Sequence, residues 1–277
     1  MASTACAAMM VYNRARRTWD RDVDSFIALS SHSREKFVRG GLPADRIFIK
    51  PNFVHQGSNA ASPPSRSKLI VYAGRLSPEK GLTTLLEAWQ RLKPPPDSRL
   101  LLAGDGPERD NLERFVSAAG LADRVSFAGL RPRAEIRSFI AQARAVVAPS
   151  LCFENFPSVV AEAYSCGRPV IASDIGALRE IVPHGITGLR CAPGDIVELA
   201  TALTTVLTSA DLADSMGSAA LREYQAKYTP EQNFQLLSNI YNSALLRNAG
   251  VARGTACVAG TRNYRTGPQE TSVSGES

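Results

Sequence analysis

Two glutamates stand eight positions apart in the run Glu154-Asn155-Phe156-Pro157-Ser158-Val159-Val160-Ala161-Glu162. A carboxylate accepts two hydrogen bonds at once and so suits a pair of neighbouring hydroxyls. Eight helical residues rise ~12 Å, and somewhat more if the first few are loop. That is roughly the span from the sugar ring of a sugar diphosphate back to its nucleoside ribose. Pro157 fits a first helical turn, because it lacks the amide hydrogen that would be unpaired there. The free amides from Ser158 onward then point out of the helix N-terminus, where a phosphate can sit. Two glutamates at this spacing usually mean two surface residues. Glu162, however, lies among Val159, Val160, Ala161 and Ala163, where an unpaired carboxylate is costly.

Two further loops carry matching chemistry. Gly74-Arg75-Leu76-Ser77-Pro78-Glu79-Lys80-Gly81 puts two cations five residues apart, able to stabilise the charge that a departing diphosphate concentrates; a solvated basic turn remains the plain alternative. Gly104-Asp105-Gly106-Pro107, with Gly129-Leu130-Arg131, offers small residues whose backbone leaves room for a flat base; ordinary tight turns explain them equally well. Gly104 to Arg109 begins like a dinucleotide fingerprint but has Arg109 where the third glycine is required, which excludes a nicotinamide or flavin dehydrogenase.

These loops need a scaffold that brings them to one rim. Residues 68–74 (KLIVYAG), 98–104 (SRLLLAG), 124–129 (RVSFAG), 145–150 (AVVAPS) and 169–173 (PVIAS) read as strands. Their nearly continuous apolar character marks a parallel sheet covered on both faces. Residues 82–93, 108–119, 132–143 and 157–166 between them have helical periodicity. The alternation predicts a doubly wound α/β domain that binds ligands at the strands' carboxyl ends. After Gly188 the chain reads as helical, with helices over 195–209, 211–228 and 229–247, and residues 248–277 read as a disordered tail. Before this domain, 24–30 and 46–50 read as strands and 33–40 as a helix, too few elements to close a core. The Ser- and Pro-rich stretch 56–67 reads as a linker. The expected organisation is thus 1–54, the remnant of a first domain; 55–67, a linker; 68–247, a complete ligand-binding α/β domain with closing helices; and the tail.

Composition narrows the function classes. With 277 residues, 44% hydrophobic and 21% charged, the chain has room for a packed core and is not of the disordered type. Its longest apolar stretches, 145–153 and 157–164, are far shorter than the ~20 residues of a bilayer-spanning helix. The net charge of +6 sits mostly in residues 1–50, with nine Lys or Arg against five Asp or Glu. Residues 51–247 hold twenty against nineteen, so no nucleic-acid partner is expected. Five scattered cysteines, without a C-x-x-C pair, indicate neither zinc nor a disulfide framework and fit a reducing cytoplasm. Residues 1–10 lack the features of a signal peptide and look like a chain cut into.

Taken in order, the motifs GRLSPEKG, LLLAGDGP, FAGL and SLCFENFPSVVAEAYSCGRPVIASDIGALREIV closely resemble the donor-binding domain of GT-B retaining glycosyltransferases, specifically glycosyltransferase family 4. The resemblance covers residues 68–207. Residues 12–54, including FIALSSHSREKFVRGGLPADRIFIKPNFV, resemble the end of that family's first domain. It implies a GT-B type α/β fold, with one Rossmann-like domain complete, and transfer of a sugar from a nucleotide-sugar such as a UDP- or GDP-sugar, with retention of configuration and no bound metal or cofactor. Arg75 and Lys80 match the diphosphate contacts, and Glu154 the group facing the reacting centre. Gly74, Gly104, Gly106 and Gly129 fall in the donor-binding loops. Asn155, Phe156, Pro157 and Ser158 match the turn around sugar and phosphate, Glu162 the ribose clamp, and the Leu130 backbone the base reader. The acceptor would be a saccharide, lipid or small molecule. Peripheral contact with a membrane, if made, would fall to the missing first domain. The family's Gly-rich loop and acceptor-domain histidine have no match, and His32, His55 and His184 fall elsewhere. A chain without that domain is expected to bind donor weakly and turn over little, or to act as a non-catalytic binding module beside a partner. The overlapping Asp-x-Asp runs at Asp20, Asp22 and Asp24 read as solvated charges, not a metal motif. Phe156 is a candidate to stack on a base, whereas Tyr164 fits core packing better.

Overall fold

The computed structural model describes residues 2–56, 62–92, 95 and 97–253. Its first segment holds α1 (Ala2–Ala15), α2 (Thr18–Arg21), β1 (Phe26–Ala28), α3 (Ser31–Arg39) and β2 (Ile47–Ile49). β1 and β2 pair in parallel as a sheet of their own. The larger unit follows with β3 (Leu69–Ala73), α4 (Leu82–Arg91), β4 (Arg99–Ala103), α5 (Arg109–Ala118), β5 (Val125–Gly129) and α6 (Arg133–Gln142). It continues through β6 (Ala145–Ala148), α7 (Ser158–Ser165), β7 (Val170–Ser173), α8 (Gly176–Ile181) and β8 (Gly188–Cys191). The helices α9 (Ile196–Thr208), α10 (Ala210–Lys227) and α11 (Pro230–Arg253) complete the order.

The six strands β3 to β8 form one parallel sheet in the order β5-β4-β3-β6-β7-β8. Every residue of β6 and β7 is buried, as expected of strands covered on both faces. α4 shows why the flanking helices dock: Leu82, Leu85, Leu86 and Trp89 recur at three- and four-residue spacing and are all buried. One core lies on the α4, α5 and α9 side of the sheet, and a second lies beneath α6, α7, α8 and α10.

The predicted α/β class and the seven predicted strands are present. Three boundaries differ. Residues 188–191, which no expected element covered ahead of the helix from 195, form β8; it pairs at the edge of the sheet through residues too mixed in polarity to read as a strand. α11 runs on to Arg253, past the expected helix end at 247; the remainder of the expected tail lies outside the described residues. Pro157 caps α7 with extended backbone and is not its first helical residue.

Pro64 and Ser65 of the linker are packed against the larger unit, while His55, Gln56, Ser62, Pro63 and Arg66 are exposed. Pro64 is buried, the Ser65 amide donates to Asp214 of α10 at 2.8 Å, and the buried Arg144 donates to the Ser65 carbonyl at 2.9 Å. The first segment is held by the returning helices: the Tyr224 hydroxyl donates to the Val54 carbonyl at 2.9 Å, and Asn233 donates to Pro51 at 2.8 Å.

The loops after β3 and β4 meet backbone to backbone. Gly104 has φ +139°, and a Cβ there would lie 1.9 Å from the Gly74 carbonyl oxygen, a clash that only backbone movement could relieve. Gly120 also has positive φ, at +65°, but open space around it. Urea unfolding is therefore expected to show Gly104→Ala costing more than ~2 kcal/mol and Gly120→Ala about 1 kcal/mol. Equal costs would mean that the contact between the loops is not rigid.

Candidate functional site

β3 is the switch point of the sheet: β4 and β5 build outward on one side of it, β6 to β8 on the other. The crevice above the carboxyl ends of β3 and β6 is where an open α/β sheet accepts a ligand. The two loops with the most chemistry, residues 74–81 and 149–157, follow these two strands. They are joined there by the Leu151 amide, which donates to the Glu79 carbonyl at 2.8 Å.

Side chains repeat that junction. Lys80 Nζ donates to Glu154 Oε1 at 2.5 Å, and Ser150 Oγ donates to the same oxygen at 2.8 Å. Both charged side chains are largely covered, at 25% and 17% exposure. Below them the Tyr72 hydroxyl donates to the Arg75 carbonyl at 2.7 Å and steadies the turn. Burial pushes that phenol's pKa up, and the charges of Glu154 and Glu79 add to the effect. In the exposed Glu79, the hydrogen bond from Ser77 lowers the carboxyl pKa.

Beside this pair opens a cavity of about 600 Å³. Of the residues singled out by sequence, Gly74, Arg75, Gly104, Gly106, Leu130, Ser158 and Glu162 line it. Lys80 and Glu154 are not among its lining residues but meet each other over the switch point. Gly129 is buried and its carbonyl accepts from the Gly104 amide at 2.9 Å, so it shapes the wall without forming it. Asn155 is exposed, and Pro157 is partly buried at the cap of α7. Phe156 cannot stack on a base. It is 7% exposed and packs on Tyr228, their centroids 5.5 Å apart. Tyr164 is wholly buried and bonds Ile181 and Thr187.

Glu162 is only 7% exposed. Burial raises its carboxyl pKa, and Arg133 and Arg137 of α6 pull in the opposite direction. Arg133 Nε stands 3.8 Å from Glu162 Oε1. Arg131, Arg133 and Ile136 line the cavity as well. Sequence reasoning passed over Arg133 and Ile136 of α6 because a basic start to an exposed helix carries no motif, whereas Arg131, in the loop before α6, stood in the run quoted with Gly129 and Leu130. It also passed over Ser150 and Phe153. The Phe153 ring stacks on His32 at 5.0 Å and has Lys36 Nζ 3.5 Å from its centroid. Glu180 of α8 caps the same helix α3, accepting from the Ser31 amide at 3.1 Å, its hydroxyl at 2.9 Å and the His32 amide at 3.3 Å. His184 Nδ1 accepts from the Arg190 amide and His55 lies edge-on to Phe53, neither of them among the cavity residues. Asp22 and Asp24 are exposed in the first segment. Among the described residues no single helix is long and apolar enough to cross a membrane.

Comparison with known proteins places this geometry in context. Residues 58–223 match the family described as "Glycosyl transferases group 1". The chain is 29% identical over 241 residues to an alpha-D-kanosaminyltransferase of Streptomyces kanamyceticus, covering 82% of this chain and 62% of that protein. It is 28% identical over 252 residues to a phosphatidyl-myo-inositol mannosyltransferase of Mycobacterium leprae, covering 87% and 66%. Among solved structures, Anabaena HepE in complex with UDP-glucose superposes with TM-score 0.69 at 26% identity, covering 79% of this chain and 64% of that one. The chain thus spans somewhat under two-thirds of the kanosaminyltransferase and of HepE.

The partly buried Lys80 and Glu154 pair is expected to couple by about 1 kcal/mol, between the values of exposed and buried pairs. A double-mutant cycle in urea with Lys80→Met and Glu154→Gln measures it; additive single effects would show that the two charges do not depend on each other.

Proposed function

The chain belongs to the glycosyl transferases group 1 family, and from that premise we propose that it is the nucleotide-sugar-binding part of a GT-B retaining glycosyltransferase of family 4. The reaction moves a sugar from a nucleotide-sugar donor to a saccharide, lipid or small-molecule acceptor. The observation that carries this reading is Glu162: a carboxylate nine-tenths buried, facing the same cavity as Arg75 and the amide end of α7. A structural carboxylate would be hydrogen-bonded inside the protein. One that faces a cavity with a cation and free amides is equipped to hold a ribose while the diphosphate is held beside it.

In this reading Arg75, Lys80 and the amides from Ser158 onward meet the charge that the leaving diphosphate gains, so no bound metal or cofactor is required. The bond from the sugar's anomeric carbon to phosphate oxygen breaks as the acceptor oxygen bonds to the same face. The acceptor's proton passes to the departing phosphate. Glu154, held by Lys80 and Ser150, faces the reacting sugar. Small residues at Gly104 and Gly106, with the Leu130 backbone, take the base. HepE is described in complexes with UDP and with UDP-glucose, which makes a UDP-sugar the first donor to test. A second reading is a non-catalytic nucleotide-sugar-binding module that acts only with a separate acceptor domain.

A thermal-shift panel of UDP-, GDP- and ADP-sugars should raise the melting temperature with one nucleotide class, by about 5 °C at a hundredfold excess over Kd. No shift with any of them would overturn the donor reading. In the active transferase, Glu154→Ala or Lys80→Ala is expected to lower transfer at least ~100-fold, and a chelator to leave it unchanged. Near-normal turnover in both variants, or loss with the chelator, would refute the assigned roles.

A further inference from the structure

Glu162 is unusual among the buried charges of this protein. Arg144, also buried, donates to three carbonyls, those of Val206, Ser65 and Ser67. The Glu162 carboxylate accepts no hydrogen bond from the described residues, although the backbone carbonyl of Glu162 accepts from Ser165 Oγ at 2.8 Å; its ion-pair neighbour is Arg133, with Nε at 3.8 Å, beyond hydrogen-bonding distance. Arg133 is the first residue of α6, its side chain is 74% exposed, and it lines the cavity. We infer that Arg133 is a positioning residue that balances the charge of Glu162 without occupying its oxygens, leaving both free for the vicinal hydroxyls of the donor ribose. This rests on the ribose-clamp reading of Glu162 given above.

The alternatives within reach of Glu162 do not serve this role. Arg137, one turn further along α6, also acts on the Glu162 charge, but its Nε is buried without a partner and it does not line the cavity. Arg131 is turned back on its own loop, Nε donating to the Ala128 carbonyl at 2.8 Å with Glu135 3.8 Å away. Arg75 and Asp105 lie elsewhere on the cavity wall, and Cys166, which caps the C-terminus of α7, has its thiol pKa raised by burial. A direct, two-pronged Arg133 pair would have satisfied Glu162 and closed it to ligand. At 3.8 Å the attraction persists while the lone pairs stay open.

The sign of the pH dependence follows. Burial raises the Glu162 pKa and Arg133 opposes that rise. Ribose binding needs the ionised form, so affinity falls as pH drops through that pKa. Removing the Arg133 charge moves the fall to higher pH.

The test is calorimetric titration of the chain with UDP and with 2′,3′-dideoxy-UDP, from mildly acid to neutral pH, for the wild type and for Arg133→Gln, Arg133→Lys and Glu162→Gln. The wild type is expected to prefer UDP by about tenfold or more, the worth of hydrogen bonds to a charged acceptor. Glu162→Gln should lose most of that preference. Arg133→Gln should lose it at mildly acid pH and recover it toward neutral, with Arg133→Lys following the wild type. Unchanged melting temperatures would confirm that the exposed Arg133 is not needed for folding. Loss in Glu162→Gln with a wild-type pH profile in Arg133→Gln would overturn the role of Arg133 alone. No ribose preference in the wild type would sink the clamp reading and this inference with it.

Discussion

Two carboxylates, Glu154 and Glu162, are held largely out of water at the carboxyl edge of a parallel sheet, and each has its counter-charge on a different crossover. An isolated buried carboxylate would take up a proton or disrupt the packing around it. Lys80 reaches Glu154 from the loop after β3, and Arg133 stands over Glu162 from the start of α6. Neither pair is local in sequence, so both exist only if β3, β4, β5 and β6 lie side by side in the right order. The order β5-β4-β3-β6 supplies that adjacency. It also explains the backbone contact at Gly104 and Gly74: loops that must bring charges together leave no room for a Cβ between them.

Much of this was readable in the chain. The strands at 69–73, 99–103 and 145–148 announced themselves because burial on both faces demands unbroken apolar runs, and α4 did so because its apolar residues share one face. Gly74, Arg75, Ser158 and Glu162 were singled out because their types and spacing suit a diphosphate and a diol, and the fold brings them to one cavity. β8 was missed for the converse reason. An edge strand with Gly188 and Arg190 carries neither alternation nor an apolar run.

The residues that sequence did not disclose are those whose role is set by a neighbour from far along the chain. Ser150 looked like a strand end until Glu154 folded back onto it. Arg133 carried no signal of its own until α6 was laid against α7. Phe156 looked available for stacking, yet Tyr228, seventy-two positions later, takes that face of its ring. Residue type alone could not separate these cases, because each depends on which surface another element covers.

The same logic links the first segment to the site. Phe153 immediately precedes Glu154 and lies against both His32 and Lys36, residues one turn apart on α3. Its ring also sits over Gly176, where a Cβ would come within 2.9 Å of the ring edge, and α8 begins at that glycine. Glu180, near the end of α8, caps α3 by accepting from its first two amides and the Ser31 hydroxyl. Helix, loop and cap therefore form a closed mechanical circuit: α3 rests on the Glu154 loop, and α8 holds α3 in place. Displacing α3 would cost the cap, the ring stacking and the cation contact together, so the loop bearing Glu154 and the first segment have one preferred arrangement. Lys80 holds the adjacent Glu154 from the loop after β3. Glu154 is thus braced from both parts of the chain, which makes the first segment part of the frame around the site.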